Sequence, residues 1–129
     1  MGERELFQKL KVRLIPDLSL AKNQYSKWDC WTNKYQLHIE LKCRYAHYDD
    51  LLIEKIKYDA LVALNTGVRY ICSTPKGIYS FNIKEIPEPN WIIEKMPQTT
   101  DFDEYPVFVE KTVGYMNISN AINITYLIN

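Results

Sequence analysis

A carboxylate and an ammonium group stand two residues apart where Glu40 is followed by Lys42. The surrounding stretch, Tyr35–Arg44, alternates apolar and polar residues, which predicts a β-strand with one packed face and one polar face. The predicted packed face consists of Leu37, Ile39, Leu41 and Cys43. The predicted polar face consists of His38, Glu40, Lys42 and Arg44. This polar face has the residue types that a hydrolytic site needs.

A second carboxylate, Asp29, precedes this strand within another strand-like run over residues 27–32. With a tight turn at residues 33–34, the two strands form a hairpin in which Asp29 lies opposite His38 and diagonal to Glu40. Diagonal neighbours are roughly 7–8 Å apart, close enough for their carboxylates to bind one cation. Two carboxylates suit Mg²⁺ or Mn²⁺, with water and substrate phosphate in the remaining positions. The pattern therefore predicts a metal site.

Lys42 is expected beside that site, because it shares a strand face with Glu40. Its charge would orient an attacking water or offset charge that develops on a phosphate oxygen. The alternative is an ordinary amphipathic edge strand whose Glu40 and Lys42 face solvent. A lone Glu-x-Lys does not decide between the two, so the neighbouring elements have to.

A helix is predicted over residues 2–10, because apolar residues recur there at helical spacing. The residues of its apolar stripe are Leu6, Phe7, Leu10 and Leu14. Glu3 lies on that stripe, whereas Glu5 precedes Lys9 by four residues and fits an exposed ion pair. Glu3 either approaches the metal site or complements the helix dipole, and both interpretations stay open.

This order of elements resembles the PD-(D/E)xK nuclease superfamily, and most of all its small archaeal-type Holliday junction resolvases and their phage-encoded relatives. The resemblance covers residues 1–83 and implies a restriction-endonuclease-like α/β fold, a mixed β-sheet flanked by helices in the order α-β-β-α-β-β. It also implies that Asp29 and Glu40 bind the metal, that Lys42 assists hydrolysis and that Glu3 completes the catalytic site. No proline precedes Asp29, which departs from the name of the motif.

A second helix is predicted over residues 51–64, preceded by two aspartates that serve as N-caps. It would connect the Glu40 strand to a parallel strand over residues 68–73. A turn and another strand over residues 78–83 follow. The sheet is therefore expected to be mixed.

The chain of 129 residues is predicted to form one domain, with residues 84–129 as a C-terminal extension. Two prolines within residues 87–89 mark the boundary, and residues 97–104 read as a loop. A further strand is predicted over residues 105–113, while residues 117–129 show no clear period.

The net charge is zero, with 16 basic and 16 acidic residues, but the two parts of the chain differ. Residues 1–76 contain 13 basic and 9 acidic residues, and residues 77–129 contain 3 and 7. This asymmetry is compatible with a local phosphate-binding face in the first part. The basic residues proposed for it are Lys27, Lys34, Arg44, Lys55, Lys57 and Arg69. The predicted substrate contacts are Arg44, Lys57 and Tyr58.

Other classes of protein are disfavoured. No stretch approaches the roughly 20 apolar residues of a membrane span, so an intracellular, cytoplasmic protein is expected. The three cysteines lack zinc-site spacing and are predicted to be reduced packing residues. His38 is interpreted as a bystander. Tyr45, Tyr48 and Trp31 lie close enough in sequence to the polar face to stack on unpaired bases.

The predicted function is a Mg-dependent deoxyribonuclease that hydrolyses DNA phosphodiester bonds, of a structure-specific or junction-resolving kind. It is expected to bind DNA as a homodimer, since a junction presents two equivalent sites. The alternative is a nucleic-acid-binding or protein-interaction module that retains the fold without turnover. The intact Asp, Glu and Lys set favours the enzyme, while the neutral charge and the acidic C-terminal part keep the alternative open.

Overall fold

The computed structural model describes residues 1–21, 28–98 and 107–129. Its helices and strands, in chain order, are α1 (Glu3–Arg13), β1 (Ser19–Leu20), β2 (Asp29–Thr32), β3 (Leu37–Cys43), β4 (Asp50–Glu54), α2 (Lys55–Val62), β5 (Gly67–Thr74), β6 (Gly77–Asn82), β7 (Ile92–Pro97), β8 (Phe108–Asn117), β9 (Ile122–Asn123) and α3 (Thr125–Ile128). None of the helices in these ranges has the length and apolar character needed to cross a membrane.

The larger sheet has six strands in the order β1-β2-β3-β5-β6-β9. β3 and β5 run parallel to each other, and the other pairings in this sheet are antiparallel. The chain between β3 and β5 contains β4 and α2, which form the long crossover that a parallel pair requires. The predicted mixed sheet and the predicted parallel neighbour of the Glu40 strand are confirmed.

The predicted helix over residues 51–64 is wrong in its first turn. The chain is extended through β4, and α2 begins at Lys55. Leu51 and Ile53 alternate into the core, and β8 provides a strand partner that places Leu51 opposite Met116. Strand preference depends on such partners more than on local propensity, so the aspartates before this segment lead into a strand instead of capping a helix.

A smaller sheet of three strands, in the order β4-β8-β7, contains much of the last third of the chain. β8 partly confirms the strand predicted over residues 105–113, although it continues to Asn117. Residues 105–106 lie outside the described residues, as does most of the loop predicted over residues 97–104. The smaller sheet thus pairs the C-terminal part with the segment that follows β3.

The larger sheet carries a hydrophobic cluster on each of its faces. α1 covers one face through Leu6 and Leu10, which are fully buried, while Phe7 and Leu14 pack at the margin. The apolar stripe predicted for this helix is therefore confirmed. α2, β4 and β8 contribute to the cluster on the opposite face, where the polar side of β3 also lies.

Trp91 connects the smaller sheet to α2. Its ring meets the Tyr58 ring edge-on, with 5.1 Å between the ring centroids. Gly114 on β8 lies against it, because a Cβ atom added at Gly114 would come within 3.0 Å of the Trp91 ring and 2.5 Å of Pro89 Cβ. The lack of a side chain at this position therefore permits the close approach that supports α2.

Gly114→Ala is expected to lower the free energy of unfolding by about 1–3 kcal/mol, because the added methyl group overpacks against Pro89 and Trp91. Chemical denaturation of the parent and the variant measures the difference. Gly2→Ala is the control, since nothing lies within 4 Å of the corresponding Cβ position, and its effect should stay below about 1 kcal/mol. Equal stability of Gly114→Ala and the parent would contradict the described packing of Trp91.

Candidate active site

Glu40 lies on the polar face of a central strand. β2 and β5 pair with β3 on its two sides, and Glu40 is only 4% exposed. Ile39 and Leu41 belong to the cluster covered by α1, whereas Glu40 meets a side chain from α2 on the opposite face. The two-faced strand predicted from the sequence is confirmed, and the alternative of a solvent-facing edge strand is excluded.

Asp29 lies directly opposite Glu40 in the register of β2 and β3. The prediction that Asp29 faces His38 is wrong, because the connection spans residues 33–36 and reverses through Gln36 at a φ of 52°. A shift of two residues preserves the strand face, so both carboxylates still share one side of the sheet. Directly opposed residues have Cβ atoms about 4.5–5.5 Å apart, closer than the predicted diagonal. Asp29 and Glu40 are called the carboxylate pair below.

The Lys57 ammonium group reaches the carboxylate pair from α2. Its Nζ lies 3.3 Å from Glu40 Oε1 and 3.9 Å from Asp29 Oδ1. His38 Nε2 lies 3.6 Å from Asp29 Oδ1. The Asp29 and Glu40 side chains are each 5% exposed, so solvent screens their mutual repulsion weakly and a nearby cation is stabilising. The geometry shows that positive charge is favoured at this position.

A divalent metal ion fits the chemistry of the carboxylate pair. Mg²⁺ and Mn²⁺ prefer oxygen ligands, and Mg²⁺ is commonly held by one or two carboxylates with water and phosphate. Among the residues that the structure describes, no three or more His, Cys, Asp or Glu side chains form a metal cluster. Burial, aided by the charges of Glu40 and Asp29, raises the pKa of the Cys30 thiol to about 12, so Cys30 offers no thiolate at neutral pH. The candidate ligands are therefore the two carboxylates.

Lys42 is partly buried and surrounded by charges of both signs. Desolvation lowers the pKa of Lys42 below its usual value, and the positive charge of Arg44 adds to this effect. Three carboxylates act in the opposite direction, namely Glu3, Glu54 and Glu40. Lys42 and Lys57 therefore approach the site from different elements and have largely different acidic neighbours.

Glu54 is a neighbour of Lys42 that the sequence analysis missed. It ends β4, and its Oε1 lies 2.9 Å from Lys111 Nζ on β8. The sequence prediction placed Glu54 on a helix over residues 51–64. In the structure, Glu54 comes near Lys42 because residues 50–54 are extended as β4. The alternation of apolar and polar residues over residues 50–54 is the signal that could identify it.

Glu3 reaches the end of β3 from the start of α1. Its Oε1 accepts a hydrogen bond from the Cys43 backbone amide at 3.4 Å. Glu3 is partly buried and Glu5 is exposed, in line with the different directions expected for them. Cys43 is three residues beyond Glu40, roughly 10 Å along a strand. Glu3 therefore lies at the Lys42 end of the site, not within the carboxylate pair.

Arg44 and Tyr58, two predicted substrate contacts, both have structural partners. The Arg44 guanidinium donates a hydrogen bond from Nη2 to the Leu52 carbonyl on β4 at 2.9 Å. Tyr58 is 7% exposed and packs against Trp91. Little of the Tyr58 side chain is therefore accessible to a ligand. Of the three predicted substrate contacts, Lys57 meets the carboxylate pair.

The other basic residues proposed for a phosphate-binding face have local partners or lie outside the described residues. Lys55 Nζ lies 2.7 Å from Asp59 Oδ2 on α2. Lys34 lies 5.4 Å from the centroid of the Tyr35 ring. Arg69 donates to a backbone carbonyl, and Lys27 is outside the described residues. Among the members of this set that the structure describes, Lys57 contacts the carboxylate pair.

Two cavities border the end of β3, and both are lined by Arg44 and Tyr45. The first, of about 660 Å³, also includes Glu3 and Lys42. The second, of about 870 Å³, also includes Tyr48. Tyr45 is 93% exposed. A ligand can therefore approach Lys42 along an open surface with accessible aromatic rings.

The mixed sheet flanked by helices defines a restriction-endonuclease-like α/β fold. The solved structure of Hjc, a Holliday junction resolvase from the archaeal hyperthermophile Archaeoglobus fulgidus, is similar with a TM-score of 0.51 and 15% identity, covering 98% of this chain and 97% of that chain. No family model matches the sequence, and neither does any curated protein. The similarity confirms the predicted fold class and, at the level of the fold, the predicted resemblance to archaeal-type resolvases. It also extends beyond residue 83.

Glu3→Gln is expected to lower the pKa of Lys42 further, because the Glu3 charge raises that pKa in the parent. NMR titration of the lysine side chains would measure the change. Glu5→Gln is the matched control, since Glu5 is exposed on the same helix. The same Lys42 pKa in the parent and in Glu3→Gln would contradict the proximity described here.

Proposed function

We propose that this protein is a divalent-metal-dependent nuclease that hydrolyses DNA phosphodiester bonds, with four-way junctions and other branched DNA as its substrates. The observation that carries the proposal is the opposed pair of Asp29 and Glu40, which favours a cation at a nearly buried position. The similarity of the fold to a Holliday junction resolvase supports the choice of reaction. The carboxylate pair supplies the chemistry that the fold alone does not specify.

The carboxylates and the lysine of the site have different proposed roles. Asp29 and Glu40 would hold Mg²⁺ or Mn²⁺, which when bound polarises a phosphate and acidifies a water molecule. Lys42 cannot bind a metal as a cation, so its ammonium group stabilises negative charge at phosphorus or holds the attacking water. Glu3 and Glu54 add negative charge near that ammonium group. The cavities lined by Arg44 and Tyr45 would give a DNA strand access to the Lys42 end of the site.

A homodimer belongs to the proposal, because the resolution of a junction requires two cuts at related positions and a two-fold axis supplies two related sites. Sedimentation of the protein with and without a four-way junction measures its oligomeric state. A monomer on the bound junction would contradict this part of the proposal while leaving the chemistry of the single site intact.

A nucleic-acid-binding module without turnover is the second candidate. The ion pairs of Lys57 favour it, because they offset part of the charge of the carboxylate pair without a metal ion. Four-way junction, linear duplex, plasmid and single-stranded DNA, each incubated with Mg²⁺ or Mn²⁺ and with chelator as the control, separate the candidates. Metal-dependent cleavage supports the nuclease, whereas binding without cleavage supports the module.

Asp29→Asn and Glu40→Gln should each lower metal-dependent cleavage at least roughly 100-fold, because each removes an anionic oxygen ligand while preserving shape. Cleavage rates, with thermal unfolding to verify the fold, test this. Asp59→Asn is the control, since Asp59 is an exposed carboxylate on α2 that pairs with Lys55. If either site variant cuts DNA at nearly the parental rate, the metal site lies elsewhere.

Lys42→Ala is expected to lower the single-turnover cleavage rate by about 100- to 1,000-fold while DNA affinity in Ca²⁺ changes little. The reason is that charge stabilisation at phosphorus acts mainly in the transition state. Lys95→Ala is the control, because Lys95 is exposed on β7. A normal single-turnover rate with weaker, less salt-dependent DNA binding would instead place Lys42 among the phosphate-binding residues.

A further inference from the structure

The Lys57 ammonium group contacts both members of the carboxylate pair, as a cation shared by the pair would. It lies within 4 Å of one oxygen from each carboxylate, at 3.3 Å and 3.9 Å. Its side chain is 18% exposed, so the outer part of the lysine borders solvent while the two carboxylates stay nearly buried. Lys57 is thus a cation supplied by the protein itself at the proposed metal position.

A bound divalent ion and this ammonium group cannot share the position. A magnesium ion lies about 2.0–2.1 Å from its oxygen ligands, so it would come within a few ångströms of Lys57 Nζ. Two cations that close repel each other strongly in a site that water screens weakly. Binding of the metal ion therefore favours movement of the ammonium group away from the carboxylate pair.

Lys57 has the means to move away. A lysine carries a compact charge on a flexible stem, and the exposed side of this stem borders solvent. Arg44, by contrast, is tied by its guanidinium to the Leu52 carbonyl on β4. A displaced Lys57 ammonium group would lie next to the metal position, where the phosphate of a bound DNA strand offers a new anionic partner.

We infer that Lys57 is an exchangeable counter-cation, which offsets part of the negative charge of Asp29 and Glu40 when no metal is bound and is transferred to the substrate phosphate when the metal binds. The inference rests on the proposed function, in that it takes the carboxylate pair to be a divalent-metal site. It has two consequences. Lys57 weakens metal binding by the protein alone, and it makes metal and DNA bind cooperatively, since each ligand favours the released lysine.

The test compares Lys57→Met with Lys55→Met, two lysines on the same helix. Lys55 is the matched control because it pairs with Asp59 and not with the carboxylate pair. Calorimetric titration of the proteins with Mn²⁺ and with Ca²⁺, in the absence of DNA, is expected to show at least about tenfold tighter binding for Lys57→Met and parental binding for Lys55→Met. Lys57→Arg keeps the positive charge, so its metal affinity should remain near that of the parent.

A second measurement addresses cooperativity. The factor by which Ca²⁺ strengthens binding of a four-way junction should be several-fold smaller in Lys57→Met than in the parent, because the variant has no ammonium group to transfer. Thermal unfolding supplies a third readout, since Ca²⁺ should stabilise Lys57→Met more than the parent. A variant that folds only when Ca²⁺ is present would also support the inference, because the ion then replaces the missing lysine charge.

The possible results distinguish failure of the lysine exchange from failure of the proposed metal site. If the parent binds metal and Lys57→Met binds it equally or more weakly, the exchange is overturned while the metal site stands. If Lys57→Met stays unfolded in both chelator and Ca²⁺, the exchange is also overturned, because a bound ion should compensate. If neither the parent nor a folded Lys57→Met binds Mn²⁺ or Ca²⁺, the proposed metal site fails and the inference fails with it.

Discussion

The repulsion between two nearly buried carboxylates is the constraint on which the site depends. Asp29 and Glu40 oppose each other across a strand pair, in a place where water screens their charges weakly. A nearby cation stabilises such an arrangement, and Lys57 provides one from a different element. This contact requires that α2, which carries Lys57, lies at a defined position relative to the paired strands β2 and β3, which carry the carboxylates.

The smaller sheet holds α2 in that relation. β4 leads directly into α2, so the pairing of β4 with β8 determines where the helix begins. Trp91 then packs against Tyr58 from the side of the smaller sheet, and its ring lies 5.5 Å from Lys55 Nζ. The close approach at Gly114 makes this contact possible. A segment far along the chain from Asp29 thereby positions the lysine that neutralises it.

The two lysines of the candidate site differ in what surrounds them, and different roles are proposed for them. Lys57 contacts the carboxylate pair through ion pairs and borders solvent, which suits a charge that changes partners. Lys42 has Glu3 and Glu54 among its charged neighbours, and desolvation together with Arg44 lowers its pKa below the usual value.

The amino-acid pattern alone was sufficient to predict the strand with two unlike faces and the helix that buries Leu6 and Leu10, and it supplied Asp29, Glu40 and Lys42 as candidate site residues. These features follow from side-chain periodicity, which is a local property of helices and strands. It also identified the parallel strand beyond the crossover, since an apolar strand pattern followed a helical one. Even the wrong hairpin register kept both carboxylates on one face, because an error of two residues preserves the face of a strand.

Three features depended on long-range packing: the direct opposition of Asp29 and Glu40, the strand before α2 and the contact of Lys57 with both carboxylates. The register depended on a longer turn with Gln36 at positive φ, which is not encoded by alternation. β4 became a strand because β8 offers it a partner, and no local window contains both. Glu54 and Lys57 then took their places from that pairing, since non-local contacts fix where the chain turns from strand to helix. The residue types of the candidate site could thus be predicted from the sequence, whereas the distances between their charged groups depend on tertiary packing.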